Sequence, residues 1–75
     1  MNIRVQFGMR LKYLRQKKGW SQEDLALESH VNKNYISDLE NGRGNPTLEI
    51  MERLSIALGI TLSELTKGLM SFNDY

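Results

Sequence analysis

The sequence predicts an all-α fold, a compact bundle of five short helices. Three observations predict it. Apolar residues recur at helical spacing, Gly and capping Ser, Thr and Asn residues recur between the apolar stripes, and no segment alternates in the strict two-residue period of a half-buried strand. With 75 residues the chain makes one domain over 1–75. A domain this short hides only about 60% of its unfolded surface. It has no cysteine, so neither a disulfide nor a thiolate metal site staples it. The fold must rest on packed apolar side chains, on partner subunits, or on both.

The elements follow in order. Phe7, Leu11 and Leu14 stand at i, i+4 and i+7, one stripe of a first helix with basic residues mostly between them. Gly19 stops that helix. Ser21 caps the second, Gln22 to Ser29, with Asp24 three residues on as a weak capping-box variant. Leu25, Ala26 and Ser29 point inward. His30-Val31-Asn32 is a break, and Asn32 caps a third helix running to about Asn41 with Ile36 and Leu39 inward. Residues 41–46, Asn-Gly-Arg-Gly-Asn-Pro, are dense in turn formers. Thr47 caps a fourth helix whose apolar face is Leu48, Met51, Leu54, Ala57 and Leu58, with Glu49 and Glu52 near its positive end. Gly59 ends it. Thr61 or Ser63 opens a short fifth helix with Leu62 and Leu65 inward, and Gly68 ends that one. There are no repeats and no low-complexity stretches.

Net charge is only +1, but its distribution is uneven. Residues 1–22 carry Arg4, Arg10, Lys12, Arg15, Lys17 and Lys18 and no acid. All nine acids lie from Glu23 onward, against Lys33, Arg43, Arg53 and Lys67. Such asymmetry points toward an anionic partner, although a solvated basic helix would give the same pattern. The start lacks the apolar core of a signal peptide, and no apolar run approaches the roughly 20 residues of a membrane span. The expectation is a cytoplasmic protein with no membrane contact. An enzyme is not expected. A single His without Cys builds no nucleophile–base set, no glycine-rich phosphate loop follows a strand, and pairs such as Glu23-Asp24 lie on exposed faces. A five-helix domain of this size also leaves little room for a buried pocket. No metal and no cofactor are expected.

The informative segment is 22–40. With Gln22 as position one, position five is Ala26, nine is His30, fifteen is Ile36 and eighteen is Leu39. Two helices crossing at about 90–120° need a small residue where they touch, which Ala26 supplies. Position nine starts the turn and often needs φ > 0, where His belongs with Asn and Asp among the tolerated side chains. Ile36 and Leu39 fix the second helix to the core. Their spacing leaves Lys33, Asn34, Ser37 and Asp38 outside, at the end where a recognition helix meets base edges.

These residues carry a resemblance. Gln22…Leu25-Ala26…Tyr35-Ile36-Ser37-Asp38-Leu39-Glu40-Asn41-Gly42 resembles the lambdoid-repressor-like, or XRE, helix-turn-helix family. Leu11…Leu14-Arg15…Gly19-Trp20-Ser21 before it and Pro46-Thr47-Leu48…Leu54…Ala57-Leu58-Gly59 after it extend the match to about residues 7–66, leaving 67–75 as a tail. The resemblance implies the family's five-helix DNA-binding domain, with helices two and three as the reading unit and double-stranded DNA as partner. It implies that Gln22 binds a phosphate or a base edge and that Asn32, Lys33, Asn34, Ser37 and Asp38 face the major groove. There Lys33 would donate to guanine, Asn34 would pair with adenine and Asp38 would accept from cytosine. Tyr35, Asn41 and Arg43 would grip the backbone. Arg15 and Glu40 would form a partly buried ion pair that holds the recognition helix in place.

One reading helix covers few base pairs, and members of this family pair across a two-fold axis onto half-sites about one DNA turn apart. The expected dimer contact is Leu62, Leu65, Leu69, Met70 and Phe72, with Tyr75, unless the tail folds back over its own domain. The implied function is a dimeric transcriptional regulator on an inverted-repeat operator, blocking or recruiting RNA polymerase. The Tyr35-Ile36-Ser37 segment and the absence of a toxin-binding extension favour a restriction–modification controller or small repressor. The alternative is an antitoxin-type interaction module that regulates its own operon.

Overall fold

Each helix begins at a side chain that accepts one of its own first backbone N–H groups, which otherwise lack a partner inside the helix. In the computed structural model, which describes residues 2–69, Asn2 caps α1 (Ile3–Lys17) by accepting from the Val5 amide at 3.0 Å. Ser21 caps α2 (Gln22–Ser29) as a full capping box. Its Oγ accepts from the Asp24 amide at 3.0 Å, and Asp24 Oδ2 accepts from the Ser21 amide at 2.9 Å. Asn32 caps α3 (Lys33–Glu40), Thr47 caps α4 (Leu48–Leu58) and Thr61 caps α5 (Leu62–Leu65). There is no strand among the described residues.

The turn between α2 and α3 is built as its composition requires. His30 sits in the left-handed region at φ 58°, ψ 30°, and its amide donates to Ala26 O at 2.9 Å. Ser29 is buried, donates to Leu25 O at 2.6 Å and accepts from the Val31 amide at 3.3 Å. That hydroxyl satisfies a backbone donor the tight turn would leave without a partner.

The core is Phe7, Leu11, Leu14, Leu25, Val31, Ile36, Leu39, Leu54, Leu58 and Leu65. Trp20, Ala26, Met51 and Ala57 pack against it. Helix α1 lies on α3, α2 bridges α3 and α4, and α5 closes between α4 and α1. No helix among the described residues is long and apolar enough to cross a membrane.

Three sequence expectations are corrected. Leu48 was placed on the inward face of α4 but is 64% exposed, because it is the first residue of the helix and lies before α4 reaches the core. The fifth helix ends at Leu65 rather than at Gly68. Thr66 turns its hydroxyl back onto Leu62 O at 2.9 Å, and the chain leaves through Gly68 at φ 78°. The two leucines of α5, both expected inward and both offered as dimer contacts, divide: Leu65 is fully buried in the core of its own domain, whereas Leu62 is 37% exposed.

Candidate nucleic-acid interface

Helix α3 presents a polar outer face because Ile36 and Leu39 turn its opposite side into the core. At 1.5 Å per residue its eight residues make a rod of about 12 Å, and an α-helix with its side chains, about 10–12 Å across, fits a major groove about 12 Å wide. Lys33 and Asn34 are exposed, and Ser37 and Asp38 half-buried one turn later. All four share that face, and Asn41 and Arg43 continue it into the following loop. Asn32 is exposed beside them, with its Oδ1 occupied by the Asn34 amide at 2.7 Å as the helix cap. Tyr35 is half-buried and packs on the core, with its ring edge under Gly44.

The face is tied internally. Arg43 donates to Asp38 Oδ1 from Nη2 at 3.1 Å and Nε at 3.3 Å, and its amide donates to Asp38 O at 2.8 Å. Asn41 Nδ2 donates to Ser37 O at 2.8 Å. Lys33 Nζ stands 3.4 Å from Glu23 Oε1, with both groups well solvated. An exposed pair of this kind adds little stability and opens readily for another anion.

Behind the face lies a buried junction of α1, α2 and α3. Arg15 Nε donates to Glu40 Oε2 at 2.7 Å and Nη2 to Glu40 Oε1 at 2.9 Å, a two-pronged pair with side chains 9% and 3% exposed. Arg15 Nη1 donates to Trp20 O at 2.7 Å, and Gln22 Nε2 donates to Glu40 Oε1 at 3.1 Å. Donation to the Glu40 carboxylate, together with that group's negative charge, holds the Arg15 guanidinium above its ordinary range, against the opposing effect of burial. Gln22, expected at a DNA phosphate or a base edge, is half-buried with its amide nitrogen on Glu40.

A helix-turn-helix family model matches residues 11–65 of the chain. The chain belongs to this helix-turn-helix family. The control protein C.MunI of a Mycoplasma species is 45% identical over 65 residues, covering 85% of this chain and 88% of that protein. The control protein C.BamHI of Bacillus amyloliquefaciens is 42% identical over 65 residues, covering 85% and 80%. The transcriptional regulator DdrOP3 of Deinococcus deserti is 40% identical, and the matched segment spans 50% of its length. Among solved structures, the restriction–modification controller protein C.AhdI of Aeromonas hydrophila superposes with a TM-score of 0.81 at 42% identity, over 83% of this chain and 94% of that one.

Outside the helix-turn-helix, sequence reasoning missed two contacts of α1, one against α3 and one against α5. Gly8 is buried beneath the end of α3. A Cβ there would collide with Leu39 O and stand 3.0 Å from Glu40 C. Arg10 Nη2 and Nε donate to Glu64 O at 2.8 and 3.1 Å, tying the end of α5 to α1. Neither follows from spacing, because each depends on a partner far along the chain. The surface also holds an open apolar groove of about 360 Å³, lined by residues that include Phe7, Pro46, Met51 and Leu69. It qualifies the expectation of little pocket space without enclosing a site. Of the expected dimer residues, Leu62 is 37% exposed and Leu69 is half-buried against the core. Met70, Phe72 and Tyr75 lie outside the described residues.

Proposed function

We propose that this protein is a sequence-specific DNA-binding transcriptional regulator that acts as a dimer on an inverted-repeat operator. Within that class, it is a restriction–modification controller. The observation that carries the reading is a solvent-facing α3 whose polar residues Lys33, Asn34, Ser37 and Asp38 share one face while Arg15 and Glu40 pin the helix from behind. Lys33, Asn34 and Asn32 offer donors and acceptors to base edges in the major groove. Asn41, Arg43 and Tyr35 hold the flanking phosphates, and Gln22 stands at the positive end of α2. The relatives named control proteins match most of both chains, which favours the controller among regulators of this family. The mode of action is occupancy: a bound dimer excludes RNA polymerase from a promoter or contacts it there.

The test is equilibrium binding to a random duplex and to the duplex upstream of the protein's own gene, over a range of salt. Binding should weaken steeply with salt on both, and the upstream duplex should bind more tightly. No binding to either at low salt would overturn the reading.

A further inference from the structure

Ten cations are distributed along the chain, and the fold gives six of them a partner. Arg10 and Arg15 are held by Glu64 and Glu40, Lys33 and Arg43 by Glu23 and Asp38. Lys17 and Lys18 lie over the rings of Tyr13 and Trp20. Arg4, Lys12, Arg53 and Lys67 have neither an acid nor a ring among the described residues.

Two of these four share one edge of α1. Arg4, Gly8, Lys12 and Arg15 follow one another at steps of four, four and three residues, the spacing that stacks side chains along one helix face. The contacts of that edge locate it. Gly8 meets the Leu39 carbonyl and Arg15 holds Glu40, so the middle and the end of the edge lie against the last turn of α3. Val5, three residues before Gly8, lies against Gly42. Arg4 lines the surface groove beside Asn45 and Pro46. The edge therefore runs alongside the end of α3 and the loop that carries Asn41 and Arg43. Both Arg4 and Lys12 are exposed.

An exposed cation without an acid contributes little to the fold and stays available to an anion that approaches this edge. We propose that Arg4 and Lys12 form a second phosphate-binding strip, which holds the sugar–phosphate backbone of double-stranded DNA next to the stretch gripped by Asn41 and Arg43. The proposal rests on the DNA-binding reading above. The step of eight residues from Arg4 to Lys12 sets the two positions about 12 Å apart along the helix axis. Duplex DNA carries one charge per roughly 1.7 Å of its axis, so the two cations meet different phosphates. The strip reads charge and not sequence. With no acid before Glu23, nothing else on α1 competes for the cations.

The test is the salt dependence of binding to a random-sequence duplex by the full chain and its exposed-site variants. Arg4→Gln and Lys12→Gln should each flatten the plot of log affinity against log salt by about one unit of slope, and the double variant by about two. Lys12→Arg, which keeps the charge, should keep the wild-type slope. An Arg53→Gln/Lys67→Gln variant removes the same net charge from the α4–α5 side and should leave the slope unchanged. Equal slopes for the two double variants would overturn the strip. Failure of the wild type to bind at low salt would overturn the DNA-binding reading itself.

Discussion

Gly8 carries α3 on its back. Alanine is a better helix former than glycine by about 1 kcal/mol, so a Gly→Ala change on an exposed helix face stabilises. At position 8 the added Cβ meets backbone, the Leu39 carbonyl and the Glu40 main chain, which cannot rotate aside as a side chain would. Overpacking of this kind costs about 1–3 kcal/mol. Gly8→Ala should therefore lower the free energy of unfolding in urea by about 2 kcal/mol, and an unchanged or raised midpoint would show that α1 and α3 are loosely spaced. His30 has the opposite character. It is the one non-glycine with positive φ among the described residues. The left-handed region costs a side chain about 1–2 kcal/mol, and glycine gives back part of that through the entropy of the unfolded chain. His30→Gly should raise stability by about 0.5–1 kcal/mol, read as a higher melting temperature. The two residues differ in how the sequence shows them. His30 is visible by counting along the motif from Gln22. Gly8 is not, because a glycine within a helix reads as a weakness until the carbonyl lying on it is known.

Helix α3 has only eight residues, too few to be stable alone, so its orientation comes from what holds it. The Arg15–Glu40 pair is almost dry. Removing one partner of such a pair leaves the other charge buried and costs about 3–5 kcal/mol. Glu40→Ala should destabilise by that amount and also free the Gln22 amide, so DNA affinity should fall even where the variant remains folded. A variant with wild-type melting would place the pair in solvent. Because the folded-state value of Arg15 is raised, its contribution is complete below the ordinary arginine range and is lost only as pH climbs beyond it. Stability from this pair should therefore not decline between neutral and moderately alkaline pH. On the outer face, Lys33→Ala should cost about 1–3 kcal/mol at a preferred base and relax preference at that position, whereas Arg43→Ala should weaken all sequences alike. Competition with base-substituted duplexes checks both, and equal losses across all duplexes for both variants would reject the division. The helices and the outer face were legible because caps, stripes and the inward pair Ile36 and Leu39 are spacing rules. The Arg43–Asp38 tie and the seat of Gln22 on Glu40 were not. They depend on how the chain turns at Gly42, with φ 78°, and on a packing of three helices that no local pattern encodes.

The whole molecule leaves several large apolar side chains in water, among them Met9, Leu27, Leu48 and Ile56. They are spread over different helices, and isolated exposed apolar residues are ordinary on a protein surface. Exposure alone therefore does not call for a partner. Reach does: a rod of about 12 Å touches a few base pairs, and a regulator gains specificity by placing a second copy about one DNA turn, roughly 34–36 Å, away. Helix α5 is the element expected to join the copies, and the fold divides its two leucines. Leu65 is fully buried in its own core and Leu62 stands 37% exposed on the surface. The two positions should then respond differently. Leu65→Ala should lose about 2–5 kcal/mol and unfold the domain whatever its oligomeric state. Leu62→Glu should leave helix content intact, shift sedimentation from dimer to monomer, and weaken binding to an inverted repeat far more than to a single half-site. If the wild type sediments as a dimer and Leu62→Glu sediments identically, α5 does not join the copies and the interface lies elsewhere on the surface. If Leu62→Glu instead loses its helix content as Leu65→Ala does, Leu62 serves the fold of one chain and the dimer contact must be sought apart from it.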